Sequence, residues 1–283
     1  MDLQHMIKHL PVKIKKYRPI SGGDTNKSFL LESDEGNFFM KTNNVKEFPG
    51  MFKDEVKGLK TIAETHKLKT PKIIKVEESA NEQYLILELI KKGEPTKQIW
   101  ENFGESLASM HKIRQPYFGF DSDNYIGRLP QKNTQASTWG KFYAQYHLEP
   151  LIKKLVDMNA LHSEEVQAAE NFYKKIDDIF PHEIPSLVHG DLWGGNFLIS
   201  DRGEPVVIDP AVYYGHREMD LGMTRLFGGF STYFYEAYDK AYPLTKGWEE
   251  RISYTQLYPL LVHSILFGSY YLEEVKNILS EFK

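Results

Sequence analysis

The chain has 283 residues, of which 41% are hydrophobic and 13% aromatic, and this composition is typical of a globular protein with a sizeable core. A net charge of −4 gives no basic field for nucleic acid, and the lack of cysteine excludes disulfides, thiolate metal sites and a cysteine nucleophile. Lys13, Lys15 and Lys16 interrupt the first apolar residues, and no apolar run reaches the roughly 18 residues that a membrane crossing needs. We therefore expect a cytoplasmic protein without a signal peptide and without nucleic-acid or membrane partners.

The first third of the chain is predicted to form a small, largely antiparallel sheet with one helix. Strands are predicted at residues 29–32, 37–41, 71–76 and 84–90. A helix is predicted at residues 52–66, because Phe52, Val56, Leu59, Ile62 and Ala63 recur at helical spacing and form an inward stripe.

Several residues of this part are suited to binding a nucleotide. Gly22 and Gly23 precede the first predicted strand and would let backbone N–H groups approach phosphates, although the pair taken alone also fits an ordinary turn. Lys41 ends the second strand, and Glu55 lies beside the inward stripe of the helix. Because a buried charge needs a partner, Lys41 is expected to bridge Glu55 and the phosphates. The alternative is a surface lysine and a glutamate at the edge of the stripe.

The strand at residues 84–90 leads out of the sheet. In a two-lobed kinase, the backbone atoms of Glu88 and Ile90 would hydrogen-bond to adenine, whereas the simpler alternative is a central core strand. Gly93 and Pro95 then break the pattern and suggest a linker. We accordingly predict a nucleotide-binding lobe at residues 1–92 and a catalytic and substrate lobe at residues 93–283.

Helical patterns dominate after the linker. Helices are predicted at residues 99–113, 139–159 and 163–180 and again within 218–283, with Ser163 as the N-cap of the third. The predicted fold class is therefore α+β: a two-lobed, protein-kinase-like fold with a small antiparallel-sheet N-lobe and a larger, mainly helical C-lobe.

One pair of short apolar runs interrupts these helices and carries three polar residues. Asp191 lies in a glycine-rich loop, Asn196 follows five residues later, and Asp209 follows Asp191 by eighteen. Kinases with the protein-kinase architecture space their catalytic base and metal ligands in this way. Asp191 is expected to accept a hydroxyl proton, with Asn196 and Asp209 holding Mg²⁺ against the phosphates of ATP. Each residue alone also fits a turn or a strand end, but the ordered set with Lys41 and Glu55 favours the kinase.

Two further residues are expected to support this loop. The ring of His189 is expected to hydrogen-bond to backbone near Asp209 rather than to act as a base. Asp220 begins the next helical region and is expected to accept N–H bonds from the loop.

With these residues in hand, the sequence resembles the fructosamine kinase (ketosamine-3-kinase) family. The resemblance is carried by His189-Gly-Asp-Leu-Trp-Gly-Gly-Asn196, Ile208-Asp-Pro-Ala211, Tyr214-Gly-His216, Phe227-Gly-Gly-Phe230 and Asp123-Asn-Tyr-Ile-Gly127. It extends from Gly22 to the final helices. The tryptophan within the first motif and the Asp-Pro-Ala of the second separate the chain from eukaryotic protein kinases, whereas aminoglycoside and choline kinases share only the His-Gly-Asp and Ile-Asp pieces.

The resemblance implies that ATP phosphorylates the C3 hydroxyl of a ketoamine, either a small molecule or one bound to a protein. The unstable product would then release the amine, which amounts to deglycation repair. Trp193 is expected to pack against the sugar, or else to be a core residue that locks the loop. His216 and Asn124 are further candidates for contacting the substrate, although Asn124 also fits a turn.

Two other functions stay open at this point. One is a small-molecule kinase of different specificity, such as an aminoglycoside or amino-alcohol phosphotransferase. The other is a nucleotide-binding scaffold without catalysis, which the intact set of five polar residues disfavours. The sequence does not distinguish among fructosamine, ribulosamine and erythrulosamine as the preferred acceptor. A monomer or a weak homodimer is expected.

Overall fold

The computed structural model describes residues 10, 12–20 and 26–283 of the chain. The predicted phosphate-binding residues Gly22 and Gly23 lie outside the described residues.

A five-stranded antiparallel sheet forms the first lobe, with the strand order β1–β2–β3–β5–β4. Its strands are β1 (Ile14–Ile20), β2 (Lys27–Ser33), β3 (Gly36–Asn44), β4 (Ile73–Glu78) and β5 (Glu82–Glu88). Helix α1 (Met51–Glu64) packs Phe52, Val56 and Leu59 against Leu85 and Leu87 of β5. This packing confirms the predicted inward stripe for Phe52, Val56 and Leu59, and Ile62 is also buried, whereas the inward position predicted for Ala63 is wrong because Ala63 is exposed. Strand β1 was not predicted.

The second lobe is mainly helical, as predicted. Its helices are α2 (Lys97–His111), α3 (Trp139–Phe142), a π-helical turn (Tyr143–Leu148), α4 (Glu149–Asp157), α5 (Ser163–Tyr173), α6 (Ile176–Ile179), α7 (Glu218–Leu226), α8 (Thr232–Ala241), α9 (Ile252–Phe267) and α10 (Ser269–Ser280). Within the described part of the chain, none of the helices has the length and apolarity that crossing a membrane would require.

Two details of the predicted helices at residues 163–180 were wrong. The cap position belongs to His162 rather than Ser163, and the His162 N–H donates to Glu165 Oε2 at 2.9 Å, which satisfies a donor at the start of the helix. The helix also ends at Tyr173, and a separate short helix follows it.

Six short strands position the loops of the helical lobe. They are β6 (Asn124–Ile126), β7 (Leu129–Gln131), β8 (Ser186–Val188), β9 (Phe197–Ile199), β10 (Pro205–Val207) and β11 (Tyr213–Gly215). They pair antiparallel as β6 with β7, β9 with β10 and β8 with β11. Asp191 and Asn196 therefore lie in the loop between β8 and β9, and Asp209 lies in the loop between β10 and β11.

The segment that joins the lobes runs from β5 to α2 and is held against β9. The Gly93 N–H donates to Ile199 O and the Asp201 N–H donates to Lys91 O, both at 2.8 Å. A side chain at Gly93 would collide with the carbonyl group of Ser200, so this close approach requires glycine. A domain boundary after residue 92 stays a prediction.

Candidate active site

Asp191 and Asn196 are joined directly within the loop between β8 and β9. The Asn196 side-chain amide donates to Asp191 Oδ2 at 2.8 Å and to the Asp191 carbonyl oxygen at 2.9 Å. Burial raises the pKa of Asp191 to about 7, and the charge of Asp209 adds to this shift, while the bond from Asn196 opposes it. A carboxyl group with a pKa near neutrality is suited to accepting a proton.

Asp220 of α7 stabilises the backbone of this loop by accepting hydrogen bonds from it. Asp220 is fully buried and accepts hydrogen bonds from the N–H groups of His189 at 2.7 Å and Gly190 at 2.9 Å. The His111 ring of α2 contacts Asp220 at 3.1 Å and Tyr238 at 2.7 Å. Burial alone would raise the pKa of Asp220, but the bond and charge of His111 outweigh it and keep that pKa below its usual value. The expected role of Asp220 is thus confirmed.

His189 ties the loop to the segment that carries Asp209. Its Nε2 donates to the Ile208 carbonyl oxygen at 3.1 Å, and its own carbonyl oxygen accepts from the Ala211 N–H at 2.9 Å. The structural role predicted for His189 is confirmed. Gly190 has a φ of 84°, and a side chain there would collide with the carbonyl oxygen of Ala211. Glycine is therefore required where the two segments meet.

Lys41 connects the two lobes electrostatically. Its ammonium group contacts Glu55 Oε1 of α1 at 2.9 Å and also contacts Asp209 Oδ1. The side chains of Lys41 and Glu55 are 6% and 10% exposed, whereas that of Asp209 is 41% exposed. The alternative of a surface lysine is therefore wrong.

The pKa values of this group follow from its burial. Burial alone would lower the pKa of Lys41, but the charges of Asp209 and Glu55 outweigh it and raise that pKa above its usual value. Burial raises the pKa of Glu55 to about 7, and Lys41 opposes that shift. The ammonium group of Lys41 therefore stays charged at neutral pH and is suited to binding a phosphate.

A cleft of about 670 Å³ between the lobes is lined by Lys41, Glu55, Asp191, Asn196 and Asp209, and this volume is typical of ligand sites. One side is lined by apolar residues of the sheet lobe, the joining segment and the β9–β10 region, namely Phe39, Pro71, Leu87, Ile90, Leu198 and Ile208. The other side is lined by the β6–β7 hairpin, Trp193 and α9, with Tyr125, Ile126, Pro259, Val262, His263, Leu266 and Phe267.

The carboxylates of the cleft are unevenly distributed. Among the described residues that line it, the acidic ones are Glu55, Glu88, Asp191 and Asp209. None of them belongs to the hairpin or to α9. The described residues on the side of the cleft away from the sheet lobe are consequently free of carboxylates and mostly aromatic or apolar, with Asp191 at the inner edge.

Four other residues that the sequence singled out for the site line the cleft, and one of them also has internal hydrogen-bond partners. Glu88 and Ile90 line the cleft, and so does Trp193, which is 37% exposed and lies over Gly195. Asn124 also lines it, but its side-chain amide donates to Val212 O at 2.9 Å and its side-chain oxygen accepts from Gln131 at 2.8 Å. Substrate contacts of these residues stay predictions.

His216 is not brought to the cleft. It is 1% exposed, and its Nε2 donates to the Pro181 carbonyl oxygen at 3.2 Å. The neighbouring Arg217 is also buried and forms two hydrogen bonds of 2.9 Å to Glu183. The structure thus gives His216 an internal partner, and its role as a substrate residue stays without a contact to support it.

The wall formed by α9 was not anticipated from the sequence. Apolar residues lie on all sides of this helix, so no stripe singled out the face that lines the cleft. Among the α9 residues that line the cleft, His263 is the polar one: its Nδ1 donates to the Pro259 carbonyl oxygen at 2.7 Å, and burial lowers its pKa. Its Nε2 is therefore an acceptor at neutral pH.

Asn196 and Asp209 provide the oxygen ligands that Mg²⁺ prefers. Mg²⁺ is commonly held by one or two side chains together with substrate phosphates. Within the described part of the chain, no group of three or more histidine or acidic side chains is arranged for a metal ion. The donor set therefore fits a cation that is shared with a nucleotide rather than one held by the protein alone.

Comparison with known proteins identifies similar sequences and structures along the whole chain. The model of the family described as fructosamine kinase matches residues 3–283. The chain is 36% identical over 285 residues to a probable ketoamine kinase of Enterococcus faecium, covering all of both chains. It is also 36% identical to the chloroplastic protein-ribulosamine 3-kinase of Arabidopsis thaliana, covering 95% of this chain and 83% of that protein.

A crystal structure of a candidate fructosamine-3-kinase from Thermobifida fusca has the same fold. It aligns with a TM-score of 0.89 and 32% identity over 99% of this chain and 97% of that one. The predicted kinase-like fold with two lobes is confirmed.

Proposed function

The chain belongs to the fructosamine kinase family, and we propose that it transfers the γ-phosphoryl group of ATP to the 3-hydroxyl group of a ketoamine. The chain is an ATP-dependent phosphotransferase that acts on a hydroxyl group. The observation that carries the assignment is the position of Asp191 in the cleft. It lies between the Lys41–Glu55–Asp209 group and a wall whose described residues carry no carboxylate. A site of this kind receives a polyphosphate on one side and a weakly charged acceptor on the other.

Asp191 acts as the base. A new bond forms between the acceptor O3 and the γ-phosphorus as the bond from that phosphorus to the bridging oxygen of ADP breaks, and the hydroxyl proton moves to Asp191. Since phosphoryl transfer proceeds through a loose transition state, orienting the hydroxyl matters more than strong basicity. The bonds from Asn196 to the side chain and backbone of Asp191 provide this orientation.

Lys41 binds the phosphates, and Glu55 keeps its ammonium group in place from α1. Backbone atoms of Glu88 and Ile90 lie where the sheet lobe meets the cleft and would hydrogen-bond to adenine. Asn196 and Asp209 would hold Mg²⁺, which neutralises the negative charge that the phosphates gather during transfer. The phosphate role of Gly22 and Gly23 remains part of the proposal.

The acceptor side favours a ketoamine over an aminoglycoside. An aminoglycoside carries several positive charges, and binding it requires carboxylates to replace its water. The hairpin and α9 contribute none among the described residues that line the cleft. A ketoamine carries a single amine and a sugar whose apolar face can pack on Trp193, and His263 can accept a hydrogen bond from one of its hydroxyl groups.

The decisive test is a steady-state assay that couples ADP release to a spectroscopic signal. The acceptors are fructosamine, ribulosamine and erythrulosamine adducts of one amine, with an aminoglycoside panel and the free amine as controls. We expect turnover with at least one ketoamine, followed by release of the free amine as the phosphorylated product decomposes. Turnover confined to aminoglycosides, or none with any ketoamine, would overturn the assignment. A cytoplasmic location and a monomeric or weakly dimeric state accompany this proposal.

A further inference from the structure

Four aromatic residues continue the acceptor wall of the cleft onto the protein surface. Phe227, Phe267, Tyr270 and Tyr271, here called the aromatic ledge, lie at the end of α7 and around the junction of α9 and α10. Phe227, Phe267 and Tyr270 are 38%, 47% and 85% exposed. A single exposed aromatic side chain is ordinary, but adjacent exposed aromatic side chains that form one patch mark a candidate binding surface.

The ledge is continuous with the catalytic loop through ring contacts. The Trp193 and Phe227 ring centroids are 5.6 Å apart, and those of Phe227 and Tyr271 are 6.3 Å apart. Tyr271 in turn lies 5.3 Å from Tyr270 and 6.5 Å from Phe267. An unbroken apolar path therefore leads outward from a residue that follows the base Asp191 by two positions.

The chemistry of a ketoamine determines what this path can meet. The amine nitrogen is bonded to C1 of the sugar, two carbons from C3, where the phosphoryl group arrives. When the 3-hydroxyl group faces Asp191, the substituent on the nitrogen begins close to the sugar site. In the proposed function the nucleotide occupies the sheet-lobe side of the cleft. The substituent therefore has to leave along the other side, which is lined by the β6–β7 hairpin, Trp193 and α9.

The electrostatics of the ledge match that substituent. A secondary amine is protonated at neutral pH, and aromatic rings attract a single positive charge without carboxylates. His263 lies beneath the ledge, with its ring centroid 4.9 Å from that of Phe227 and 5.0 Å from that of Tyr271. It is neutral at this pH because burial lowers its pKa, so it does not repel the amine.

We propose that the aromatic ledge is a binding subsite for the amine substituent of the ketoamine. It selects adducts whose nitrogen carries an extended apolar or aromatic group over adducts of short amines. This inference rests on the proposed ketoamine kinase activity and adds to it a preference on the amine side of the substrate, which the sugar does not determine.

The test uses two adducts of the same sugar, one formed with ethylamine and one with 3-phenylpropylamine. We expect the kcat/KM ratio of the long adduct to the short one to exceed unity in the wild-type enzyme by roughly fivefold, the effect of about one aromatic contact. Tyr270→Ala and Phe267→Ala should each lower this ratio toward one. Neither change opens a cavity in the core, because Tyr270 is 85% exposed and Phe267 is 47% exposed.

Tyr117→Ala is the matched control, since Tyr117 is 49% exposed and does not line the cleft. It should leave the ratio unchanged. A wild-type ratio near one, or a ratio that the two ledge variants do not alter, would overturn the subsite while turnover of the short adduct still supports the kinase activity. If the ledge instead joined two copies of the chain, its variants would change the mass in solution and not the ratio. Absence of turnover with both adducts would overturn the kinase proposal and the subsite with it.

Discussion

The ion pair of Lys41 and Glu55 allows the catalytic and structural roles of one buried charge to be separated. Lys41→Met replaces the ammonium group by an apolar side chain of similar length, in a position that is 5% exposed. We expect a loss of activity of at least about a hundredfold, because a charge aimed at the transferring group contributes on the order of 10²–10³ in rate. The fold should persist.

The loss of stability in Lys41→Met depends on Glu55 and Asp209, the two carboxylates that lose their partner. Removing one partner of a fully buried ion pair costs about 3–5 kcal/mol. Asp209 is partly solvated at 41% exposure, and Glu55 can become neutral by taking up a proton. We therefore expect a loss of about 2–3 kcal/mol, which the total stability of roughly 5–15 kcal/mol typical of a domain tolerates.

Glu55 determines how the stability of the Lys41→Met variant changes with pH. Burial raises the pKa of Glu55 from its ordinary value of 4.5 to about 7 even with Lys41 present, and removing Lys41 raises it further. The folded variant then binds more protons than the unfolded chain, so its stability is greatest below pH 4.5 and falls as the pH rises toward 7 and above. Adding Glu55→Gln should remove most of this slope and restore about 1–2 kcal/mol without restoring activity.

Urea denaturation followed by circular dichroism between pH 5 and pH 8, together with turnover of one ketoamine, measures both roles. Lys53→Met is the matched control, because Lys53 lies on α1 with Glu55 and pairs with Glu78 at 2.5 Å but is 62% exposed. It should change stability by less than about 1 kcal/mol and leave turnover intact. Full activity in Lys41→Met would refute the phosphate role, and an unchanged, pH-independent stability would refute the buried-pair reasoning.

Three further predictions concern the loop between β8 and β9. Asp191→Asn should abolish turnover while titration calorimetry still detects ATP binding; loss of ATP binding would contradict the assignment of the base. Asp220→Asn places an amide where two backbone N–H groups donate, so it should lower stability by roughly 3 kcal/mol and also reduce kcat, measured by urea denaturation and steady-state kinetics. Gly190→Ala forces a side chain into the carbonyl oxygen of Ala211 at a φ of 84°, and either a wild-type melting temperature or a wild-type kcat would show that this contact is not required.

The sequence predicted those site residues that belong to a recognisable local pattern, such as a strand, an apolar stripe or a characteristic spacing. Lys41 was recognised in a predicted strand and Glu55 beside an apolar stripe, and the structure pairs them as expected, although the strand continues past Lys41 to Asn44. Asp191, Asn196 and Asp209 were found from their spacing. The hydrogen bonds between Asp191 and Asn196 are local, because the two residues are only five positions apart.

Features that depend on distant segments were missed. The contact of Lys41 with Asp209 joins residues 168 positions apart, and no local pattern encodes it. Strand β1 was overlooked because it lies at the edge of the sheet, where its residues are largely exposed and lack apolar alternation. The internal position of His216 depends on Trp139 and Phe180, whose rings pack against it from elsewhere in the chain.

The geometry of the site also depends on how α1 is tied to the helical lobe. The Lys57 ammonium group donates to Ser122 Oγ at 2.8 Å and contacts Asp121 at 2.5 Å, while the Tyr125 hydroxyl donates to the Pro49 carbonyl oxygen at 3.1 Å. Pro49 lies two residues before the first residue of α1 and Lys57 lies six residues after it, so the two contacts flank Glu55 along the chain.

Because Glu55 lies between these anchor points, a shift of α1 that separated it from Lys41 would have to break contacts to the other lobe. Gly58 reinforces this, since a side chain there would press on Pro210, the residue that follows Asp209. The helix and the Asp209 segment are thus packed against each other directly, and the position of the ammonium group between Glu55 and Asp209 is determined by both lobes at once.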